Sequence, residues 1–235
     1  MSSLIYKRKG YGRITAVAGT VITRLVEPMP GLFTSLAETW YINAGTAHAL
    51  TVMRPLGKTF ASAAAAAAQA VINIAQNPGT YSNFGTINTA NNNIAANDYV
   101  VYQSADGNYN ITTVSSVATL AITLAGNVPT AGVLKGAPFW FFGITTDTNP
   151  ADNLAHPAFT LTASATTKLF GIDPGDTMAG GIGSIAPAIG IGALYSTSNG
   201  AWPLNGQNEP IILHSDNATA AGTLEKVTAV YSNLA

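Results

Sequence analysis

The chain has no cysteine. Disulfide staples, thiolate metal centres and cysteine nucleophiles are therefore excluded together, and the redox compartment is left open. Charge is scarce as well: Asp, Glu, Lys and Arg make up 9% of the 235 residues, while 47% are hydrophobic, against a charged share of roughly 25% in ordinary soluble domains. Asn, Thr, Ser, Ala and Gly must then supply most of the exterior, and such a surface suits dense packing against neighbours. Histidine is limited to His48, His156 and His214.

The few charges are unevenly placed. Residues 1–58 hold seven basic and two acidic residues, and residues 59–235 hold three basic and nine acidic ones. Four of the ten basic residues, Lys7, Arg8, Lys9 and Arg13, stand in the first thirteen positions. Gly10 and Gly12 break any helix there, and Leu4, Ile5 and Tyr6 show no period, so residues 1–13 read as an extended N-terminal arm. A nucleic-acid grip by these cations, with Tyr6 and Tyr11 for stacking, is opposed by the acidic balance of the remaining chain and a pI near 6.3. No nucleic-acid partner is expected. Leu4, Ile5, Tyr6 and Tyr11 instead supply apolar anchors to go with the cations Lys7, Arg8, Lys9 and Arg13, as a strap onto an acidic neighbouring subunit needs.

No targeting segment is visible, because residues 14–26 are interrupted by Thr15, Gly19, Thr20, Thr23 and Arg24. The uncharged stretch 177–208 is too rich in glycine and polar residues for a spanning helix, so no membrane partner is expected.

Along the chain, β patterns dominate. Runs at 20–26, 39–42 and 48–54 are rich in Val, Ile, Thr and aromatic residues, and the Asn/Gly cluster at 43–46 predicts a hairpin between the last two. Residues 61–76, ASAAAAAAQAVINIAQ, are the one predicted helix: alanine favours it, and Phe60, Ala64, Ala67, Val71 and Ile74 form a stripe. An Asn-rich loop follows at 80–96. Short strands at 99–102, 109–117, 120–124 and 138–144, punctuated by turns at 105–108 and 129–132, predict a small β-barrel. Beyond a connector at 147–157, further strands are expected at 159–162, 168–172, 189–195, 211–214 and 223–231. In the last of these, Val227, Ala229 and Tyr231 share a face.

The expected fold is mainly β: a β-sandwich or jelly-roll-like core with an inserted small β-barrel subdomain, one Ala-rich helix and the extended arm. The boundaries expected are 1–13 for the arm, 14–78 for the first part of the main domain, 79–146 for the inserted barrel and 147–235 for the second part of the main domain.

The residues offer little chemistry. His214, Ser215 and Asp216 are adjacent, so on a strand they point in different directions and make no triad, and no G-x-S-x-G elbow accompanies them. The segment 147–152 begins like a calcium loop but lacks its glycine and closing glutamate. Asp173 and Asp176, which could meet a hard cation, belong first to a Asp-Pro-Gly-Asp turn. The glycines of 179–192 match no phosphate loop. No enzyme, no cofactor and no metal are expected, and no catalytic residue is assigned.

Two stretches carry a resemblance. The closing segment NEPIILHSDNATAAGTLEKVTAVYSN, residues 208–233, resembles the C-terminal region of cement or decoration proteins on the heads of tailed bacteriophages. The segment NDYVVYQSADGNYNITTVSSVATLAITL, residues 97–124, resembles small β-barrel units of phage head accessory proteins. The resemblance implies a β-rich, often trimeric virion protein without catalytic residues, which binds the outer capsid surface and clamps major capsid subunits together after the head expands, in the host cytoplasm during assembly. The arm would be the strap, and its removal would leave a folded protein with weakened capsid binding. Alternatives are a receptor- or carbohydrate-binding tail module displaying Trp40, Trp140 and Trp202, or a capsid-forming jelly-roll protein.

Overall fold

The computed structural model describes residues 6–16, 22–43, 48–53, 55, 57–75, 96–118, 120–142, 158–161, 166–170, 208–215 and 222–233. Every helix or strand among the described residues is a strand, and the chain divides into two compact units, residues 1–54 with 156–235, and residues 55–155.

The first unit contains β1 (Tyr6–Tyr11), β2 (Ile14–Ala16), β3 (Thr23–Val26), β4 (Phe33–Asn43), β5 (His48–Met53), β12 (Ala158–Leu161), β13 (Thr166–Phe170), β14 (Ile211–Ser215) and β15 (Gly222–Ser232). They form two antiparallel sheets, ordered β1-β15-β4-β13, with β2 also on β15, and β12-β5-β14-β3. With β1 and β2 counted as one interrupted strand, eight strands pair first with last and so inward: β1 with β15, β3 with β14, β4 with β13, β5 with β12. Two further ladders, β15 with β4 and β14 with β5, close this folded ribbon into its sheets. The core includes Val26, Leu36, Ile211, Ile212, Leu213, Val227, Ala229 and Tyr231, none more than 1% exposed. Each such aliphatic side chain contributes about 1.5–3 kcal/mol relative to exposure. Val227, Ala229 and Tyr231 do share a face, opposite Tyr11, Lys9 and Lys7 in the β1 ladder. Between β3 and β4, Met29-Pro30-Gly31-Leu32 closes a turn through Leu32 N–H to Met29 O at 3.1 Å. Gly31 takes φ +76° there, the left-handed value that this turn asks of its third residue.

The second unit is a single sheet ordered β6-β11-β8-β9-β10-β7, from β6 (Gly57–Phe60), β7 (Val71–Asn73), β8 (Tyr99–Gln103), β9 (Tyr109–Ala118), β10 (Ala121–Leu124) and β11 (Pro138–Phe142). Its two edges meet: Ala61 bridges Ile74, with Ser62 N–H to Asn73 O at 2.9 Å and Ala75 N–H to Phe60 O at 2.7 Å. Ile72, Ile74, Val100, Tyr102, Val114, Ile122, Leu124, Phe139 and Phe141 point into the enclosed core, where the Tyr102 and Phe139 rings stack at 5.2 Å. The predicted turn at 105–108 joins β8 to β9, with Gly107 at φ +87° and the Asp106 carboxylate accepting from the Ser104 hydroxyl and the Asn108 backbone. Those hydrogen bonds hold the Asp106 carboxyl below its ordinary pKa.

Three expectations are corrected. Residues 61–75 form no helix; they run as bridges and turns into β7, with Ala65 and Val133 exchanging backbone hydrogen bonds of 2.9 and 2.8 Å. Alanine's helix preference is worth at most about 1 kcal/mol per residue over most alternatives, and long-range pairing with a closed sheet outweighs it. Phe60, Ala64, Ala67 and Val71 of the supposed buried stripe are exposed, and Ile74 is buried. Consequently the second unit begins at Pro55 and recruits β6 and β7, so its boundary does not fall after residue 78. Finally, β4 and β5 do not pair as a hairpin: they belong to different sheets, and each finds its partners far along the chain. Two β runs flanking a turn sequence fit a connection between sheets as well as one within a sheet.

Candidate interaction surface

The basic N-terminal segment, expected as an extended arm, is a strand of the first unit. Residues Tyr6–Tyr11 make an antiparallel ladder with β15, from Tyr6 opposite Ser232 to Tyr11 opposite Val227. Side chains then fasten β1 to the other sheet. The Tyr231 hydroxyl donates to the Glu27 carbonyl at 2.8 Å, and the Glu27 N–H donates to the Tyr11 hydroxyl at 3.0 Å. The two hydroxyls are 2.9 Å apart, so Tyr11 donates to Tyr231 and a ring closes in which each group gives and takes one hydrogen bond. Burial pushes both phenols up from their ordinary pKa, and the shared hydroxyl bond raises Tyr231 further. Lys9 pairs with the Glu27 carboxylate, which holds its ammonium above the usual lysine range. Arg24 of β3 donates from Nη2 to the Gly12 carbonyl at 2.6 Å, and burial lowers its pKa without discharging it.

Tyr11 and Lys9 are thus engaged within the chain. Leu4 and Ile5 lie outside the described residues; Tyr6 is the first residue of β1. Lys7, Arg8, Lys9, Gly10 and Arg13 are exposed. On β1, Lys7 and Lys9 share one face and Arg8 takes the other, so cations flank both faces of a strand that ends its sheet. Among the described residues, no strand pairs with the outer edge of β1.

A second surface lies on the small unit, and the predicted helix concealed it. Phe60, Val71, Leu120 and Leu134 are 39–58% exposed. Val71 and Asn73 form the outward side of β7, beside Phe60 and Ser62 across the closing bridge and Ala121 and Thr123 on β10. Leu120 adjoins them through its carbonyl, which accepts from Ile74 N–H at 2.9 Å. The readable signal was the absence of any charged residue between Lys58 and Asp98.

Other residues singled out in the sequence are dispersed or internal. Trp140 is 2% exposed, with Tyr109 6.0 Å away ring to ring and Lys58 Nζ 5.4 Å from its ring centroid, so it is no open sugar platform. Trp40 is in β4, while Trp202, His156, Asp173, Asp176 and the segment 147–152 lie outside the described residues. His214 is buried on β14, its Nδ1 3.4 Å from the Thr23 hydroxyl across the β14–β3 ladder. Among the described residues no cluster of three His, Asp or Glu is placed to hold a metal ion, and no helix is long and apolar enough to cross a membrane.

No family model matches the chain, and no curated protein does. Among solved structures, VP17, a capsid protein of bacteriophage P23-77, aligns over 98% of this chain and 96% of its own length at 7% identity and a TM-score of 0.20. Neither the fold nor the function below rests on that likeness.

Proposed function

We propose that this chain is a structural protein of a bacteriophage virion, a β-built subunit of the capsid shell. The observation that carries the reading is the pairing order of the first unit. An eight-strand ribbon paired first with last and closed by β15–β4 and β14–β5 is the order of a jelly roll, an architecture that recurs in viral capsid domains. Fold alone does not give function. Further support comes from the sparsely charged composition, the exposed apolar residues of the small unit, and the resemblance of residues 97–124 and 208–233 to phage head proteins.

Expression of the full chain alone, followed by sedimentation and electron microscopy, tests this. A shell subunit forms oligomers that grow into capsomers or closed particles; a protein that stays monomeric at high concentration and joins no particle contradicts it. A second reading places the chain on the outer capsid surface as a trimeric cement between major capsid subunits. It is favoured by the exposed Phe60, Val71 and Leu120, which would add contact area across a joint. A cement does not assemble alone but binds preformed capsids at a fixed stoichiometry, so the same preparation mixed with empty capsids separates the two.

A further inference from the structure

We propose that the small unit is a separately folding module carried in the turn between β5 and β12, and that the capacity to build a shell belongs to the first unit without it. The second half rests on the virion reading. The first half rests on pairing and burial alone.

The insertion is bracketed by two ladders. β5 and β12 pair antiparallel, with Thr51 opposite Ala158, although the whole of the small unit lies between them in the chain. β6 and β11 pair in the same sense, with Gly57 opposite Phe141, so the first described strand of the small unit lies beside its last. Residues opposite each other in an antiparallel ladder stand about 4.5–5.5 Å apart between Cα atoms. The first unit therefore offers two ends one strand spacing apart, and the small unit presents two ends with that same spacing. Neither has to open to admit the other, and domain insertion is tolerated where chain ends lie close in this way.

The small unit also holds itself. Its sheet closes through the Ala61–Ile74 bridge, so its two end strands meet each other. Its core, with Ala61, Ile72, Val114, Ile122, Phe139 and Phe141, is drawn from its own residues. Trp140, on the opposite side of β11 from Phe139 and Phe141, has Lys58 Nζ and the Tyr109 ring of the same unit against it. The first unit is equally complete across the gap: β5 finds β12 and β14, and the ribbon from β1 to β15 closes with no strand from the insertion. Among the described residues, no strand of one unit pairs with a strand of the other. Segments with their own core and their own ladders open as separate cooperative units.

Hydrogen–deuterium exchange read by mass spectrometry on the full chain, with sedimentation of the same samples, tests this. Ile122→Asp puts a carboxylate into the core of the small unit. The expected result is that amides of β8, β9 and β10 lose their protection while those of β4, β14 and β15 exchange as in the parent, and that the variant forms the parent's oligomers. Leu36→Ala, in the core of the first unit, should do the reverse, speeding exchange in β4 and β15 about tenfold or more and leaving β8 to β10 unchanged. Loss of protection in both units from either variant overturns the separate module. Loss of the parent's oligomers by Ile122→Asp with the first unit still protected overturns the assignment of shell building to that unit. A parent that forms no oligomer contradicts the virion reading, and the exchange pattern still decides whether the small unit folds separately.

Discussion

A ring of three groups holds the N-terminal strand, and it makes specific demands on Tyr11 and Tyr231. Replacing Tyr231 by Phe removes a donor to the Glu27 carbonyl and an acceptor for Tyr11 in a buried place. The expected loss is about 1–3 kcal/mol of unfolding free energy in urea titration, the cost of stranding buried polar groups. The Lys9–Glu27 pair, with 44% and 38% of its side chains exposed, should matter less, with Lys9→Ala costing at most about 1 kcal/mol. The phenols also set a pH dependence. Both have folded-state pKa values raised above the ordinary 10.0, so their contribution is complete below that value and is lost as the pH climbs past it toward the folded values. The raised Lys9 acts in the same direction above 10.5. Stability should therefore fall on the alkaline side above about pH 10, and the double variant Tyr11→Phe, Tyr231→Phe should fall less steeply in parallel denaturant titrations. None of this was legible in the sequence. Tyr11 reads there as an outward anchor, because nothing local reports a partner 220 residues away.

Strands announced by turn chemistry were readable together with their partners, whereas those at 159–162, 168–172, 211–214 and 223–231 were readable as strands but their partners were not. The β8–β9 hairpin follows from Asp106-Gly107 between alternating runs, and the turn at 129–132 from its proline and glycine. The Ala-rich segment misleads because composition argues for one structure and the closed sheet imposes another. The segment packs through a close backbone approach: at Gly132, φ is +75° and an added Cβ would lie 2.8 Å from the Ala65 carbonyl oxygen. Gly132→Ala should accordingly destabilise the small unit by about 2 kcal/mol or more, from the left-handed backbone and the backbone clash together. Gly12→Ala, with open space around it, should be close to neutral. The arm shows the same lesson in reverse. An extended basic stretch looks detachable until its ladder is seen, and removal of residues 1–13 strips β1 from β15 and takes the Tyr11 hydroxyl away from Tyr231 and from the Glu27 N–H. The truncated chain is expected to be destabilised by several hydrogen bonds' worth and to expose unit one to proteolysis. A truncation with unchanged urea midpoint would show that β1 contributes nothing to the fold.

The mainly β class and the presence of a small inserted sheet followed from the strand-rich pattern, whereas the ribbon order of the first unit could not, since it depends on seven pairings across most of the chain. The two units have separate cores, so calorimetry should resolve two transitions, with Tyr231→Phe moving one and Gly132→Ala the other. The proposed role asks a sparsely charged molecule built of sheets to make repeated contact with other subunits. Quantitative mass spectrometry of purified virus particles tests that role most directly. The expected result is on the order of hundreds of copies of this chain per particle, in simple ratio to the shell, as closed symmetric assembly requires. About a dozen copies or fewer, or none, would contradict it.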